Sequence, residues 1–122
     1  MYKLYHVERE LVLVENLMMA TTFIRRLRGL MFTAELLPGE GLFLSPCNSV
    51  HTFFMRYPLD VLFLDGQMQI LRCLSCIQPN RISPLIRGAR HAVEMPAGNI
   101  KQYGISAGDS LLISETHNYP KT

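Results

Sequence analysis

The sequence predicts a mostly β (α+β) domain: a compact β-barrel or sandwich of short, mainly antiparallel strands with one or two short helices. Three observations carry this. Short segments rich in Val, Ile, Leu, Phe and Tyr alternate with Gly, Pro, Asn and Asp, the punctuation of an all-β chain. One segment alone has a clear helical period. An Asp-Gly pair stands between two apolar runs, a strong short-range hairpin signal.

The opening residues YKLYHV and ELVLVEN form two candidate strands. ATTFIRRLRGLMF then changes period: Phe23, Leu27 and Leu30 recur at i, i+4 and i+7, Thr21 or Thr22 is placed to cap the N-terminus, and Gly29 suits a C′ position of positive φ. This predicts a short helix, basic on its outer face. After the turn LLPGEG the chain is strand-like again in GLFLS, SVHTFFM, DVLFL and MQILRCLSCI. The LDGQ stretch between the last two predicts a type I′ hairpin at Asp65-Gly66. VLFL is apolar on both faces, so its strand is expected to be central and buried above and below. IQPNRISPLIRGAR reads as a long loop, HAVEMPAG as a strand, NIKQYG as a turn of helix, and AGDSLLIS as a turn and a strand. Residues 116–122 are expected to fray.

Residues 1–122 are read as a single domain, because a chain of this length buries roughly two-thirds of its unfolded surface and needs neither disulfide nor metal. With 48% hydrophobic and 18% charged residues, it has enough apolar surface to offset the entropy of ordering, which excludes a disordered chain. No apolar run approaches the roughly 20 residues of a membrane span, and the N-terminus lacks the apolar region of a signal peptide. Three cysteines, an odd number, suit reduced thiols, so a cytoplasmic location is expected. The net charge of +2 and pI of about 8.5 fall short of a nucleic-acid-binding balance. Between Gln67 and Val93 there is no acid, yet Arg72, Arg81, Arg87 and Arg90 lie there. A solvated loop is expected, with a phosphate or carboxylate site as the alternative.

Three stretches together resemble a known family. RGLMF at 28–32 followed by GEGLFL, FFMRYPLDVLFLD at 53–65, and AVEMPAGNIKQYGISAGDSL at 92–111 are similar to the motifs of the prokaryotic domain of unknown function 192 family, over about residues 13–113. The resemblance implies a small, mostly β, single-domain protein and brings no activity, ligand or cofactor with it. Some similar members carry an export signal or membrane anchor, which this chain is read as lacking. Phe54 stands where the family usually has tryptophan, so an aromatic packing role is retained.

The polar residues set into apolar strands are the candidate ligand-binding residues: Arg28, His51, Arg56, Asp60 and Glu94. HTFFMRYPLD at 51–60 holds three of them. Read as a strand, it places His51, Phe53 and Met55 on one face and Thr52, Phe54 and Arg56 on the other. Pro58 bends the chain, so Arg56 and Asp60 are expected to pair across the corner. The functional alternative is that Arg56 presents its planar fork to an anion while Asp60 orients it. His51 is expected to bond to backbone, the alternative being a metal ligand or base near Cys47; the ligand spacing of zinc modules is absent, and neither metal nor cofactor is expected. Cys73 and Cys76 form a CxxC, but on a strand residues three apart face opposite ways, so no redox dithiol is expected. Glu94 is either the outward residue of a half-buried strand or a carboxylate of raised pKa lining a pocket. Met31, Met55 and Met95 are expected to fill the core.

The functional expectation is a non-enzymatic binding or accessory module whose cleft takes a small polar or anionic ligand or a peptide. The alternative is an acid–base hydrolase or lyase using His51 with Asp60 or Glu94. A protein partner at an exposed strand edge is a third reading.

Overall fold

The computed structural model describes residues 2–31 and 33–115; Phe32 and the tail expected to fray lie outside the described residues. The elements run β1 Tyr2–His6, β2 Leu11–Ala20, α1 Phe23–Arg28, β3 Glu40–Leu44, β4 Leu59–Leu64, β5 Ile70–Ile77, β6 His91–Pro96, α2 Asn99–Tyr103 and β7 Leu111–Glu115. They form one seven-stranded sheet in the order β5-β4-β6-β3-β2-β1-β7. Its pairs are antiparallel except β2 with β3, which is parallel. The mostly β expectation holds.

The sheet curls into a half-barrel whose two edge strands touch at one end. There Gln69 bridges Ser110, and the Ile70 amide donates to the Asp109 carbonyl at 2.8 Å. His6, 1% exposed, pins the same seam: its Nε2 bonds the Asp109 carboxylate at 2.7 Å while its Nδ1 accepts the Arg9 amide at 3.0 Å. Glu8 joins them by accepting the Ser110 amide. The ligand atoms of His6, Glu8 and Asp109 lie within 4.8 Å of one another, but they are already spent on these bonds and on the Ser106 amide.

Side-chain alternation gives the sheet two apolar faces. Leu62, Leu64, Val93 and Met95 belong to one core, capped by Ile100 and Ile105 around α2. Val61, Phe63, Leu42, Leu44 and Ala92 belong to the other, covered by Val50, Met55, Tyr57 and Ile86 from the two long connections. β4 is buried along its whole length, as expected of a central strand. Met55 and Met95 are buried and Met31 is half-buried, close to the core-filling role expected of them.

Three local expectations are corrected. The 51–55 stretch is not a strand: only His51 makes a bridge, to Ile82, and Phe54 turns the chain at φ +63°. Residues 48–52 instead run antiparallel to the 80–86 loop, with the Thr52 amide bonded to the Arg81 carbonyl and the Ser83 amide to that of Val50, both at 2.8 Å. The β4–β5 hairpin exists, but not as a two-residue type I′ turn. The Asp65 amide donates to Gln69, Asp65 Oδ1 accepts the Gln67 and Gln69 amides, and Met68 takes the left-handed position at φ +63°. That is a three-residue loop, in which aspartate caps the turn and an extra residue absorbs the strand twist. Finally, α1 is capped as expected by Thr22, whose hydroxyl accepts the Arg25 amide, and ends at Gly29 with φ +51°. Yet it buries no residue: Phe23 and Leu27 are 68% and 54% exposed, and only Leu30 beyond its end reaches the core.

Asp60 does not pair with Arg56. Arg56 is exposed, and Asp60 is completely buried. Asp60 Oδ1 accepts the Cys76 amide at 2.8 Å, and Oδ2 accepts the amides of Gly98 at 3.1 Å and Ile100 at 2.8 Å. The β4 carboxylate thus holds the irregular end of β5, where Cys76 has φ +54°, and the first turn of α2. Asp60→Ala strands three amides, that of Ile100 buried and those of Cys76 and Gly98 part-buried, and is expected to lower stability by about 3 kcal/mol in urea unfolding, with Asp60→Asn in between. A loss under about 1 kcal/mol would show that those amides find other partners.

Candidate functional site

Helical spacing puts Phe23, Arg26 and Leu27 on one side of α1, the i, i+3, i+4 positions. That side overhangs a cavity of about 250 Å³ whose opposite wall is Leu44, Pro46 and Val50 and whose polar lining includes Cys47, His51 and Glu94. The other side of α1, with Ile24, Arg25 and Arg28, borders a separate groove of about 580 Å³ toward Leu36 and Leu42. A helix that packs nothing beneath it is therefore a partition between two openings, which explains its exposed aromatic and aliphatic residues.

Glu94 lies on β6, opposite Val61 of β4 and Leu42 of β3. It is 2% exposed, and its Oε1 has no hydrogen-bond partner among the described residues. Burial pushes its pKa up to about 8, so at neutral pH it is mostly a protonated, hydrogen-bond-donating carboxyl. Gly29 faces it closely; a Cβ there would stand 3.6 Å from Oε1. Burial also raises the Cys47 thiol, with the Glu94 charge adding to the shift, and the thiol donates to the Ser49 carbonyl at 3.1 Å. Tyr57 is raised for the same two reasons, and its hydroxyl bonds Thr33 at 2.8 Å.

Of the five candidate ligand-binding residues, the structure brings only His51 and Glu94 to this cavity, where Cys47 joins them. Both nitrogens of His51 are engaged: Nε2–H donates to the Leu27 carbonyl at 3.0 Å, and Nδ1 accepts the Phe53 amide at 3.2 Å. Its ring stacks on Phe53 at 5.5 Å. It is the backbone-bonded histidine expected, and it ties α1 to the 51–55 turn. Arg28 borders the second groove, and Arg56 lines none of these cavities. Asp60 shares a sheet face with Leu62 and Leu64, Glu94 with Ala92 and Val61, so the two carboxyls point to opposite sides of the sheet. All four arginines of the acid-free stretch are exposed, Arg72 on β5 and Arg81, Arg87 and Arg90 in the connection between β5 and β6. Cys73 and Cys76 are free, on a strand, with Cys73 pushed up to about 11 by burial.

The residue missed from the sequence is Arg26. Its Nη1 donates to the carbonyls of Thr21 at 3.0 Å and Ser45 at 3.5 Å, and it has no carboxylate partner among the described ion pairs. The signal was present in its place three residues after Phe23 and one before Leu27.

A curled, mostly antiparallel sheet with a buried, unpartnered carboxyl beneath a short basic helix defines a small β-rich domain with one enclosed polar group facing a cleft. The chain belongs to the domain of unknown function 192 family, described only as an uncharacterised conserved group, and matches it over residues 7–113. It is similar to a UPF0127 protein of Pyrococcus furiosus, 35% identical over 98 residues, covering 75% of this chain and 81% of that one. It is also similar to one of Thermococcus sibiricus, 33% identical over 99 residues. That match spans 75% of this chain and 62% of the Thermococcus protein. A crystal structure of a protein of unknown function from Novosphingobium aromaticivorans shares the fold, with a TM-score of 0.79 at 20% identity over 91% of this chain and 82% of that one. No helix among the described residues is long and apolar enough to cross a membrane.

Because the folded state retains the Glu94 proton between about pH 4.5 and about 8 while the unfolded chain releases it, this group's contribution to stability is complete below the lower value and lost as pH rises to the upper. Glu94→Gln is therefore expected to flatten stability against pH, and at about pH 9 to exceed the parent by on the order of 3 kcal/mol. Urea unfolding at several pH values checks it. Parallel curves for the two proteins would show that Glu94 is ionised in the fold.

Proposed function

We propose that this domain is a non-enzymatic binding module that holds a small ligand in the cleft beneath α1, with Glu94 at its base. The observation that carries the reading is the Glu94 carboxyl oxygen, buried without a hydrogen-bond partner and facing a cavity. Burying such a group uncompensated costs about 1–3 kcal/mol, and folds keep that cost where a site needs the group. The cleft's size, about 250 Å³, lies just below the usual range of drug-sized ligand sites and suits a small molecule better than a peptide. Exposed Phe23 and Leu27 at the mouth supply apolar surface that a bound molecule would cover. We assign the protein to the cytoplasm, which its three free thiols support.

The acid–base alternative keeps one form only. His51 with Asp60 would need groups on opposite sides of the sheet, whereas His51 with Glu94 would share this cavity. That form needs His51 to give up a backbone bond at each ring nitrogen it uses.

A thermal-shift screen against small acids, amines, alcohols, sugars and nucleotides tests the reading. At a hundred times its dissociation constant a true ligand stabilises by about 2.7 kcal/mol. Asn48→Trp, at an exposed position on the cavity rim, is expected to abolish that shift without lowering the unliganded melting temperature. A panel with no shift at any compound sinks the proposal, and turnover of any bound compound replaces it with the enzyme.

A further inference from the structure

We propose that the ligand of the Glu94 cavity is a small carboxylate with an apolar body, its anionic head held between the Glu94 carboxyl and the Arg26 guanidinium; this rests on the reading of the cleft as a ligand site. The head is argued from charge. Arg26 is the half-buried arginine of α1, and the carbonyls it bonds through Nη1 hold its position without neutralising its charge. α1 has no acid in its first turn, and its other two arginines, Arg25 and Arg28, lie on the side of the second groove. With Glu94 protonated, the cavity carries one fixed positive charge and one neutral donor, a combination that accepts an anion and repels an ammonium group. A carboxylate accepts the Glu94 O–H in a short charge-assisted bond and presents its second oxygen to the planar guanidinium, which still has unused N–H groups.

The apolar body is argued from the walls. Phe23 and Leu27 overhang the opening, and Leu44 and Val50 line the side toward the sheet. An inorganic anion would leave this surface in contact with water, whereas an alkyl or aryl chain covers it. His51 contributes a ring and no free polar atom, since both its nitrogens are bonded.

The binding is linked to a proton on Glu94. The ionisable groups that face it are Arg26 from α1, Cys47 and His51 from the 45–52 connection, and Tyr57 from the bend before β4. Glu94→Gln separates its titration from theirs, because the amide keeps a hydrogen-bond donor and cannot ionise.

Isothermal titration of the intact protein with hexanoate, benzoate, hexanol, hexylamine and inorganic phosphate is the test. Hexanoate and benzoate are expected to bind at about pH 6.5, with phosphate and hexylamine silent. Affinity should fall about tenfold between about pH 7 and about pH 9, the loss expected when only the form protonated near pH 8 binds. Glu94→Gln should bind hexanoate with a flat pH profile, and Arg26→Gln should weaken it tenfold or more while melting at the parent temperature. Binding of hexanol or hexylamine in place of hexanoate overturns the carboxylate assignment and leaves the cleft reading standing. Hexanoate binding that Arg26→Gln leaves unchanged, or a pH dependence that survives in Glu94→Gln, overturns the assigned head site. No heat from either carboxylate at millimolar concentration overturns the inference, and the thermal-shift screen then decides the cleft reading separately.

Discussion

The Asp60 carboxylate is the constraint on which the irregular half of this fold depends. It is fully buried in β4 and accepts amides from Cys76 at the end of β5 and from Gly98 and Ile100 at the start of α2, joining segments that flank β4 on both sides. A left-handed residue in β5 and a helix of one turn after β6 are both costly in isolation. The buried anion offsets those costs by satisfying amides that would otherwise be orphaned. It is a positioning group whose partners are all backbone.

Asp60 and its neighbour Val61 carry the geometry across to the site. Because side chains alternate along a strand, anchoring Asp60 toward the α2 face turns Val61 and its cross-strand partner Glu94 toward the α1 face. Two carboxyls buried within adjacent rungs of one ladder therefore meet opposite fates. One has every hydrogen bond its position requires. The other faces a cavity with an oxygen unpartnered, and local departures from full polar satisfaction concentrate where a protein does work. Arg26, overhanging that cavity from a helix that packs nothing, is the second departure.

Much of the architecture was legible in sequence, and the exceptions share a cause. The Thr22 cap, the Gly29 stop, the double-sided burial of VLFL and the Asp65 hairpin rest on local chemistry, and they form. The turn type at Asp65 differs because aspartate's side chain competes with the turn preference of the following glycine. SVHTFFM has the composition of a strand but not its geometry. Thr52 is buried and bonds the 78–81 backbone through its hydroxyl as well as its amide, and the chain turns at Phe54, which has positive φ, where this non-local ribbon ends. The Phe23, Leu27, Leu30 spacing correctly indicates a helix, yet what lies under that helix is set by chain segments far away in sequence.

The sequence by itself determined every element except the strand expected over 49–55, together with the central burial of β4, the mostly β class and the family, since each follows from periodicity, capping and turn chemistry within a few residues of chain, or from motifs read in order. Tertiary structure alone decided which polar residues share a site. Arg56 and Asp60 are neighbours in sequence and separate in space, while Arg26 and Glu94, sixty-eight positions apart, line one cavity. The reason is that a strand's two faces differ by a single residue of register, and the orientation of Glu94 depends on long-range pairing with β4 and β3 that no local pattern encodes.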